Sequence, residues 1–369
     1  MTTLILVSII VLLFFNAILF ISLRKIFSYN EERQISHDIS RNRQEEKNIS
    51  IIISVKNEKE KIKTLVGCLK ELLYPQDKYE IIIIDDNSTD GTYTGLLKVT
   101  ENLKNFFVKE LKTTGLSGKR EALTFGINNS HFPYILITDA DCQPQQYWLE
   151  AYSKMFSVGN DMLFGIAPFY QNKNLINKVS CFENLRNTLF SFTLTKAGIP
   201  YTASARNFGF TRKAFEKLGG YKNTKDTLSG DDDLLLREAV KAKMKIGLVD
   251  EEGSFVYSET KKTFKEYFQQ RARHTQTSFH YLIKHQLILG LWHLLNLFFL
   301  LSPLLMLINS WFGILLPVKL IADIILIKPN DKKFGYSFTI LEIIYLQIIY
   351  EVLLIVHFFN ARFTKIKWK

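Results

Sequence analysis

The sequence predicts an α/β protein with a doubly wound, mostly parallel sheet and apolar membrane helices near both ends. Between residues 49 and 138, strand-like apolar runs alternate with helical patterns, as in α/β domains. Two of these runs, 81–84 and 134–138, are followed at once by acidic residues. In open α/β sheets ligands bind beyond the carboxyl ends of the strands, so these acids predict a ligand site.

The first element is an apolar segment, residues 4–22, interrupted only by Ser8 and Asn16. It is long enough to cross a bilayer as a helix. It lacks the positive start and the cleavage site of a signal peptide. Arg24 and Lys25 follow it, and the positive-inside tendency then places the next segment in the cytoplasm. We therefore predict an N-terminal anchor at 1–28 and a charged linker at 29–48.

The globular domain is predicted over residues 49–260. The run 81–84 is four isoleucines, typical of a strand buried on both faces of a parallel sheet. The first predicted helix, 60–73, stops near Pro75. A further helical pattern occurs late in the domain, at 231–243. The predicted strands are 50–55, 81–84, 106–109 and 134–138, and the predicted helices are 60–73, 92–101, 119–128 and 231–243.

The C-terminal part is predicted to return to the membrane. Residues 261–285 fit a basic amphipathic helix at the bilayer interface. The region 286–369 contains apolar segments at 287–308, 311–327 and 340–359. Lys319 and Asp323 are four residues apart and are predicted to pair near an interface. Three crossings would place the basic tail, Arg362 to Lys369, outside, so we predict that 311–327 is re-entrant or interfacial.

Composition narrows the possible functions. The formal net charge is +11, yet 47% of the residues are hydrophobic, which fits a basic membrane protein. No recognition helix, zinc-ligand spacing or RNA-binding aromatic motif is visible, so nucleic acid is not an expected partner. Cys68, Cys142 and Cys181 are widely spaced, which favours a reducing compartment over a disulfide framework. The first strand is not followed by G-x-G-x-x-G, which argues against a nicotinamide oxidoreductase.

Six short motifs occur in an order that resembles a known family. They are Ser54-Val55-Lys56-Asn57-Glu58, Asp85-Asp86-Asn87-Ser88-Thr89-Asp90-Gly91-Thr92, Gly118-Lys119, Thr138-Asp139-Ala140-Asp141, Gly230-Asp231-Asp232-Asp233-Leu234 and Gln270-Arg271-Ala272-Arg273-His274. Together they resemble the membrane-bound inverting glycosyltransferases of family 2. These enzymes have a GT-A fold, a Rossmann-like fold that binds nucleotide-diphospho-sugars. The resemblance covers about residues 49–284. Gly230 replaces the family's glutamate, and His274 replaces the tryptophan of QxxRW, which leaves the acceptor type and processivity open.

The resemblance implies a donor and metal site. Asp141 of the DxD motif is the expected direct ligand of Mg²⁺ or Mn²⁺, because hard cations suit oxygen ligands. Asp139 is expected to hold the donor ribose or the water shell of the metal. Asp86 is expected to contact the uridine or ribose. Asn57 and Glu58 are expected to border the base, and Lys119 completes this donor-binding set. Turn and cap chemistry is the alternative for Asp85, Asn87 and Asp90.

The resemblance also implies a catalytic base and diphosphate contacts. Asp231 occupies the base position, and Asp232 beside it is the second candidate. Helix N-terminal charge complementarity would explain the same acids without catalysis. Arg271 and Arg273 can contact diphosphate oxygens, with anionic lipid headgroups as the alternative. Gln270 is expected to close the acceptor side.

These features predict a multi-pass enzyme of the cell (inner or plasma) membrane with a cytoplasmic catalytic domain. It would transfer a sugar from a nucleotide-diphosphate donor, UDP being favoured only by the resemblance, to a lipid or glycan acceptor. Two other functions remain open. One is a processive polysaccharide synthase, and the other is a catalytically silent membrane scaffold with the same fold.

Overall fold

The computed structural model describes residues 2–40, 46–115, 118–227 and 230–363, and it divides into two compact units. The helical unit comprises Met1–Tyr29, Gln171–Tyr201 and Thr260–Lys369, and the α/β unit comprises Asn30–Tyr170 and Thr202–Glu259. The helices are α1 (Thr2–Ser40), α2 (Ile62–Lys70), α3 (Thr92–Thr100), α4 (Lys119–Asn128), α5 (Trp148–Ser157), α6 (Leu175–Lys196), α7 (Arg212–Lys217), α8 (Asp233–Lys241), α9 (Phe264–Ser278), α10 (Ile283–Leu301), α11 (Leu315–Ile327) and α12 (Ile340–Phe363). The strands are β1 (Ile49–Val55), β2 (Tyr79–Asp85), β3 (Phe106–Glu110), β4 (Tyr134–Asp139), β5 (Cys142–Pro144), β6 (Met162–Gly165), β7 (Phe208–Thr211), β8 (Ile246–Val249) and β9 (Val256–Ser258).

The α/β unit is built on a seven-stranded sheet in the order β3-β2-β1-β4-β7-β6-β8. Its first four strands along the chain are parallel, and β7 runs antiparallel to both neighbours. A separate antiparallel pair joins β5 and β9. The predicted doubly wound, mostly parallel α/β class is confirmed.

Both faces of the central strands are covered, which explains the consecutive isoleucines within β1 and β2. Side chains alternate between faces along a strand. Ile51 and Ile53 share a buried core cluster with Leu65 and Leu69 of α2. On the opposite face Ile52 packs against α4. Helices on both faces therefore favour apolar residues at consecutive positions, as in 51–53 of β1 and 81–84 of β2.

The contact between α4 and the sheet depends on Gly126. A Cβ atom there would lie 2.5 Å from Cγ2 of Ile52 and 3.3 Å from Cγ1 of Ile84. We expect Gly126→Ala to lower the free energy of unfolding by about 1–3 kcal/mol, the usual cost of overpacking a core. Gly67→Ala on α2 is the matched control, because a Cβ atom there meets nothing within 4 Å. Thermal unfolding should separate the two variants, and equal melting temperatures would contradict this packing.

The helical unit contains most of the apolar segments. Within the described residues, four segments are long and apolar enough to cross a membrane: Thr3–Arg24, Ile283–Leu307, Ser310–Ile327 and Ile340–Phe363. The third begins with a 3₁₀ turn before α11. Its predicted re-entrant or interfacial placement stays a prediction.

Two parts of the predicted organisation differ in detail from the structure. Helix α1 continues to Ser40, through much of the stretch predicted as a linker, and residues 41–45 of that stretch lie outside the described residues. Helix α6 has 22 residues and belongs to the helical unit, whereas the sequence pattern showed only mixed short elements there. The basic tail from residue 364 onwards is likewise outside the described part of the chain.

Charged side chains are buried within the helical unit. Lys319 Nζ lies 2.6 Å from Oδ2 of Asp323, so the predicted i,i+4 pair is confirmed. Glu351 of α12 approaches the same ammonium at 3.4 Å, and Arg186 of α6 lies 3.6 Å from the other Asp323 oxygen. The Lys319 and Asp323 side chains are each only 1% exposed. Burial of single charges would be costly, so the four groups balance one another's charge.

Candidate active site

The carboxyl ends of three parallel strands bring the predicted motifs to one edge of the sheet. Val55 of β1 pairs in register with Asp85 of β2, and Ser54 pairs with Asp139 of β4. The segment after β1 and the loop after β2 are joined by hydrogen bonds. The backbone N–H of Asn57 donates to Ser88 Oγ, and its side-chain Oδ1 accepts from the N–H of Thr89, both at 2.9 Å.

Asn57 and Asn87 adopt positive φ angles of 54° and 57°. Asparagine is one of the few non-glycine residues that tolerate this left-handed conformation. The Asn57 side chain is used to fix the loop, while the Glu58 carboxylate lies 2.8 Å from Lys61 Nζ. Both residues thus stand at the predicted donor edge of the α/β unit, and their contact with the base stays a prediction.

The acids at the end of β2 and in the loop that follows it have separate structural roles. Asp85 is fully buried, and its Oδ2 accepts from the N–H of Ser88 at 2.9 Å, so it orients the loop. Asp86 accepts from the N–H of Gly118 at 2.9 Å and lies 3.4 Å from Lys56 Nζ. Asp90 accepts from the N–H of Thr92, the first residue of α3, which is the turn chemistry considered above.

Lys119 connects two parts of the edge. It is the first residue of α4, and its Nζ lies 2.9 Å from Asp139 Oδ1 and 2.9 Å from Asp231 Oδ2. Burial disfavours a charged ammonium, but the Asp139, Asp231 and Asp232 carboxylates outweigh it and raise the pKa of Lys119 well above its usual value. The ammonium therefore stays charged and links the DxD motif to the acid cluster.

The DxD motif presents oxygen ligands toward solvent. Asp139 ends β4, and both its side chain and that of Asp141 are about one third exposed. Ligand atoms of Asp139, Asp141 and Cys142 lie within 4.8 Å of one another. Burial, together with the Asp139 and Asp141 charges, raises the pKa of the Cys142 thiol well above its usual value. Since a metal-binding cysteine is a thiolate, the two carboxylates are the better ligands, and they fit a hard divalent cation.

The three consecutive acids at the start of α8 contact different partners. Asp231 contacts Lys119, whereas Asp232 Oδ2 accepts from the N–H of Ala205 at 2.6 Å and its Oδ1 caps α8. Asp233 Oδ1 accepts from Thr202 Oγ1 and from the N–H of Ala203. Asp232 and Asp233 therefore hold the segment 202–205 against the start of α8. Desolvation and the charges of Asp233 and Asp231 raise the pKa of Asp232 well above its usual value.

Gly230 precedes this cluster with φ 82°, in the left-handed region that favours glycine. The backbone therefore explains why glycine stands where the resemblance expects glutamate.

Comparison with known proteins identifies the domain that carries this edge. Residues 50–219 match the family model described as Glycosyl transferase family 2. The chain carries a family 2 glycosyltransferase domain.

Two curated relatives and one solved structure extend the match. Glycosyltransferase AglE of Haloferax volcanii is 27% identical over 186 residues, 50% of this chain and 58% of that protein. The probable glycosyltransferase YdaM of Bacillus subtilis is 27% identical over 198 residues, 51% of this chain and 46% of that protein. The matched part thus spans about half the length of these relatives.

The structure of mannosyltransferase PcManGT from Pyrobaculum calidifontis, in complex with GDP-Man and Mn²⁺, covers 94% of this chain and 99% of its own. Its TM-score is 0.56 at 17% identity, a likeness that concerns the fold. The family 2 glycosyltransferase domain and the GT-A-like fold predicted from the sequence are confirmed, and the relatives support the predicted transferase class.

The QxxRW-like residues of this chain lie on α9, in the helical unit. Arg271 is held by an acid of the same unit, with its Nε 2.8 Å from Glu183 Oε2. Gln270 and Arg273 are partly exposed on the same helix. The predicted diphosphate contacts of Arg271 and Arg273, and the predicted role of Gln270 at the site, stay predictions.

The sequence analysis missed two charged residues that contact motif side chains. Lys61 Nζ lies 3.5 Å from Asp141 Oδ2, and its position three residues after Glu58 was the available signal. Glu183 is an acid in the interior of α6, where 15 of 22 residues are buried. A carboxylate on such a buried helix indicates that it has a partner of opposite charge or a hydrogen-bond donor. The neighbouring sequence, however, does not show which residue that partner is.

Proposed function

We propose that this chain is a membrane-integrated, inverting glycosyltransferase. It transfers a sugar from a nucleotide-diphosphate donor to a lipid-linked or membrane-proximal glycan acceptor. The observation that carries the proposal is the Lys119 ammonium, which contacts the DxD residue Asp139 and the candidate base Asp231 at 2.9 Å each. One charged group thus joins the donor side and the acceptor side of a family 2 domain.

The donor side consists of the sheet edge around Asp86 and the DxD motif. Asp141 would hold the divalent cation, Mg²⁺ or Mn²⁺, with Asp139 beside it. When bound, such a cation neutralises the negative charge that the diphosphate develops as its bond to the sugar breaks. Asn57, Glu58 and Asp86 would contact the nucleoside. The Mn²⁺ and GDP-Man bound by the similar mannosyltransferase support a metal and a nucleotide sugar.

The acceptor side depends on Asp231. Its carboxylate would take the proton of an acceptor hydroxyl as that oxygen attacks the anomeric carbon. The bond from acceptor oxygen to carbon forms while the bond from carbon to the phosphate oxygen breaks, and the nucleoside diphosphate leaves. Attack opposite the leaving group inverts the anomeric configuration. Lys119, held in its charged form, would stabilise the leaving diphosphate as well as the base.

A membrane acceptor is supported by the four candidate membrane spans. Arg24 and Lys25 after the first apolar segment favour a cytoplasmic catalytic domain. A nucleotide sugar made in the cytoplasm would then reach the site directly, and a lipid-linked acceptor would lie beside it.

The test uses the full chain purified in detergent, a panel of UDP- and GDP-sugars, Mn²⁺ or Mg²⁺ and a membrane lipid extract. Nucleotide release together with radiolabelled sugar in the lipid phase is expected with one donor. Label in a polymer of high mass would instead indicate a processive synthase. Neither release nor binding of any nucleotide by a folded protein would overturn the proposal.

A further inference from the structure

Lys61 is a second lysine that contacts the DxD motif. Its Nζ lies 3.5 Å from Asp141 Oδ2 and 2.8 Å from Glu58 Oε2. Lys119 contacts the other DxD carboxylate, Asp139, at 2.9 Å. All of these residues belong to the α/β unit. Each carboxylate that fits a hard divalent cation therefore has an ammonium group of this chain as its neighbour.

The two lysines differ in how firmly they are held. The Lys119 side chain is 22% exposed and bridges Asp139 and Asp231 at 2.9 Å each. The Lys61 side chain is 46% exposed, and its contact with Asp141 is longer. Exposed side chains change rotamer within nanoseconds, and an exposed ion pair adds little to stability. The Lys61 ammonium can therefore leave Asp141 at small cost, whereas Lys119 is held from two sides.

The position of Lys61 in the chain is unfavourable for the helix that follows it. Lys61 is the N-cap residue of α2, and its side chain makes no capping hydrogen bond among the residues that the structure describes. Serine, threonine, aspartate and asparagine are the residues that stabilise an N-cap. The helix dipole, moreover, disfavours a positive charge at a helix N-terminus. Helix stability thus gives no reason for a lysine here, whereas the two carboxylate contacts of its ammonium group do.

A divalent cation and the Lys61 ammonium compete for the Asp141 carboxylate. Carboxylate oxygens bind such cations at about 2 Å, so the cation and the ammonium in its present place would be close neighbours on one carboxylate. Even with the screening of water, a double and a single positive charge that are so close repel each other by an amount equivalent to about tenfold in affinity. Lys61 therefore weakens metal binding to the protein without nucleotide.

We infer that Lys61 is a displaceable counter-ion of Asp141 that makes binding of the divalent cation depend on the nucleoside diphosphate. This inference rests on the proposed function, in which Asp141 holds a cation that neutralises the diphosphate. A bound diphosphate adds negative charge that attracts both the cation and the displaced ammonium, so it relieves their competition. Because coupling between two ligands is reciprocal, the cation strengthens diphosphate binding by the same factor. Lys61 thereby favours joint binding of the metal and the donor.

The experiment measures Mn²⁺ binding to the full chain in detergent by electron paramagnetic resonance, first without nucleotide and then with GDP or UDP. A titration without protein corrects for the Mn²⁺–nucleotide complex in solution. The variants are Lys61→Gln, the charge-preserving Lys61→Arg, and Lys63→Gln, which removes the same charge from an exposed position of the same helix. Asp141→Asn, alone and combined with Lys61→Gln, tests whether the effect acts through Asp141. Melting temperatures report folding, and Lys61→Met replaces Lys61→Gln if that variant does not fold.

We expect Lys61→Gln to bind Mn²⁺ without nucleotide about tenfold more tightly than the wild type, and the gain from added diphosphate to shrink by the same factor. Lys61→Arg and Lys63→Gln should match the wild type, and Lys61→Gln should have no effect in the Asp141→Asn background. Unchanged or weaker Mn²⁺ binding in Lys61→Gln would overturn the inference while leaving the proposed function intact. So would an equal gain in Lys61→Arg or Lys63→Gln, or a gain that persists in the Asp141→Asn background. A wild type that binds neither Mn²⁺ nor a nucleoside diphosphate would overturn both.

Discussion

Asparagine in place of Asp231 should lower kcat for sugar transfer by about 10²- to 10⁴-fold, the usual contribution of a general acid or base. Asparagine has nearly the same size and can still accept a hydrogen bond from Lys119, which now lies 2.9 Å from the carboxylate. It cannot take a proton from an acceptor hydroxyl. Steady-state kinetics should therefore show the loss in kcat, while donor KM and the melting temperature change little.

Asp233→Asn is the matched control for this substitution. Asp233 is buried, and one of its oxygens accepts from Thr202 and from the N–H of Ala203. We expect its replacement to lower the melting temperature, with kcat per folded molecule much less affected than in Asp231→Asn. If Asp232→Asn instead produced the large kinetic loss and Asp231→Asn remained active, the base would be Asp232, the second candidate from the sequence.

The location of this site could be predicted from the sequence because it follows from local patterns and one rule of topology. Four isoleucines followed by Asp85 and Asp86 mark the end of a buried strand, as do residues 134–138 followed by Asp139. Parallel strands place their carboxyl ends at one edge, and the register of β1 with β2 and β4 does so here. The position of the site therefore depended on little beyond strand identity.

The division of labour within the site was not predictable, because it depends on contacts between residues far apart in sequence. Asp231 and Asp232 are neighbours with identical chemistry, and only the folded chain turns one to Lys119 and the other to Ala205. The pairing of Lys119 with residues 20 and 112 positions away likewise leaves no local pattern. Helix α6 was missed for a related reason. Its 15 buried residues are distributed around the whole helix, so its sequence has no amphipathic stripe.

Loss of the Asp141 carboxylate should abolish tight divalent-cation binding. Substitution of a residue that merely holds a metal ligand typically weakens metal binding about 10- to 100-fold. Because Asp141 is the proposed ligand itself, we expect Asp141→Asn to weaken Mn²⁺ binding by about 100-fold. The effect should be larger than for Asp139→Asn, because Asp139 already shares its charge with Lys119 at 2.9 Å, while Lys61 lies 3.5 Å from Asp141. Titration of Mn²⁺ by electron paramagnetic resonance, without nucleotide, measures this independently of activity.

Transfer itself should fall in parallel with metal binding. A cation that neutralises the leaving diphosphate supplies several kcal/mol of transition-state stabilisation, or about 10²- to 10⁴-fold in rate. Chelation of the wild type by EDTA should give the same loss and Mn²⁺ should reverse it, whereas Asp141→Asn should recover only at much higher Mn²⁺. Cys142→Ser should bind Mn²⁺ like the wild type, because a thiol with a raised pKa is a poor ligand. Full activity of Asp141→Asn in EDTA would show that the diphosphate is neutralised without a metal, so the DxD carboxylates would then serve only to hold the nucleotide and Lys119 in place.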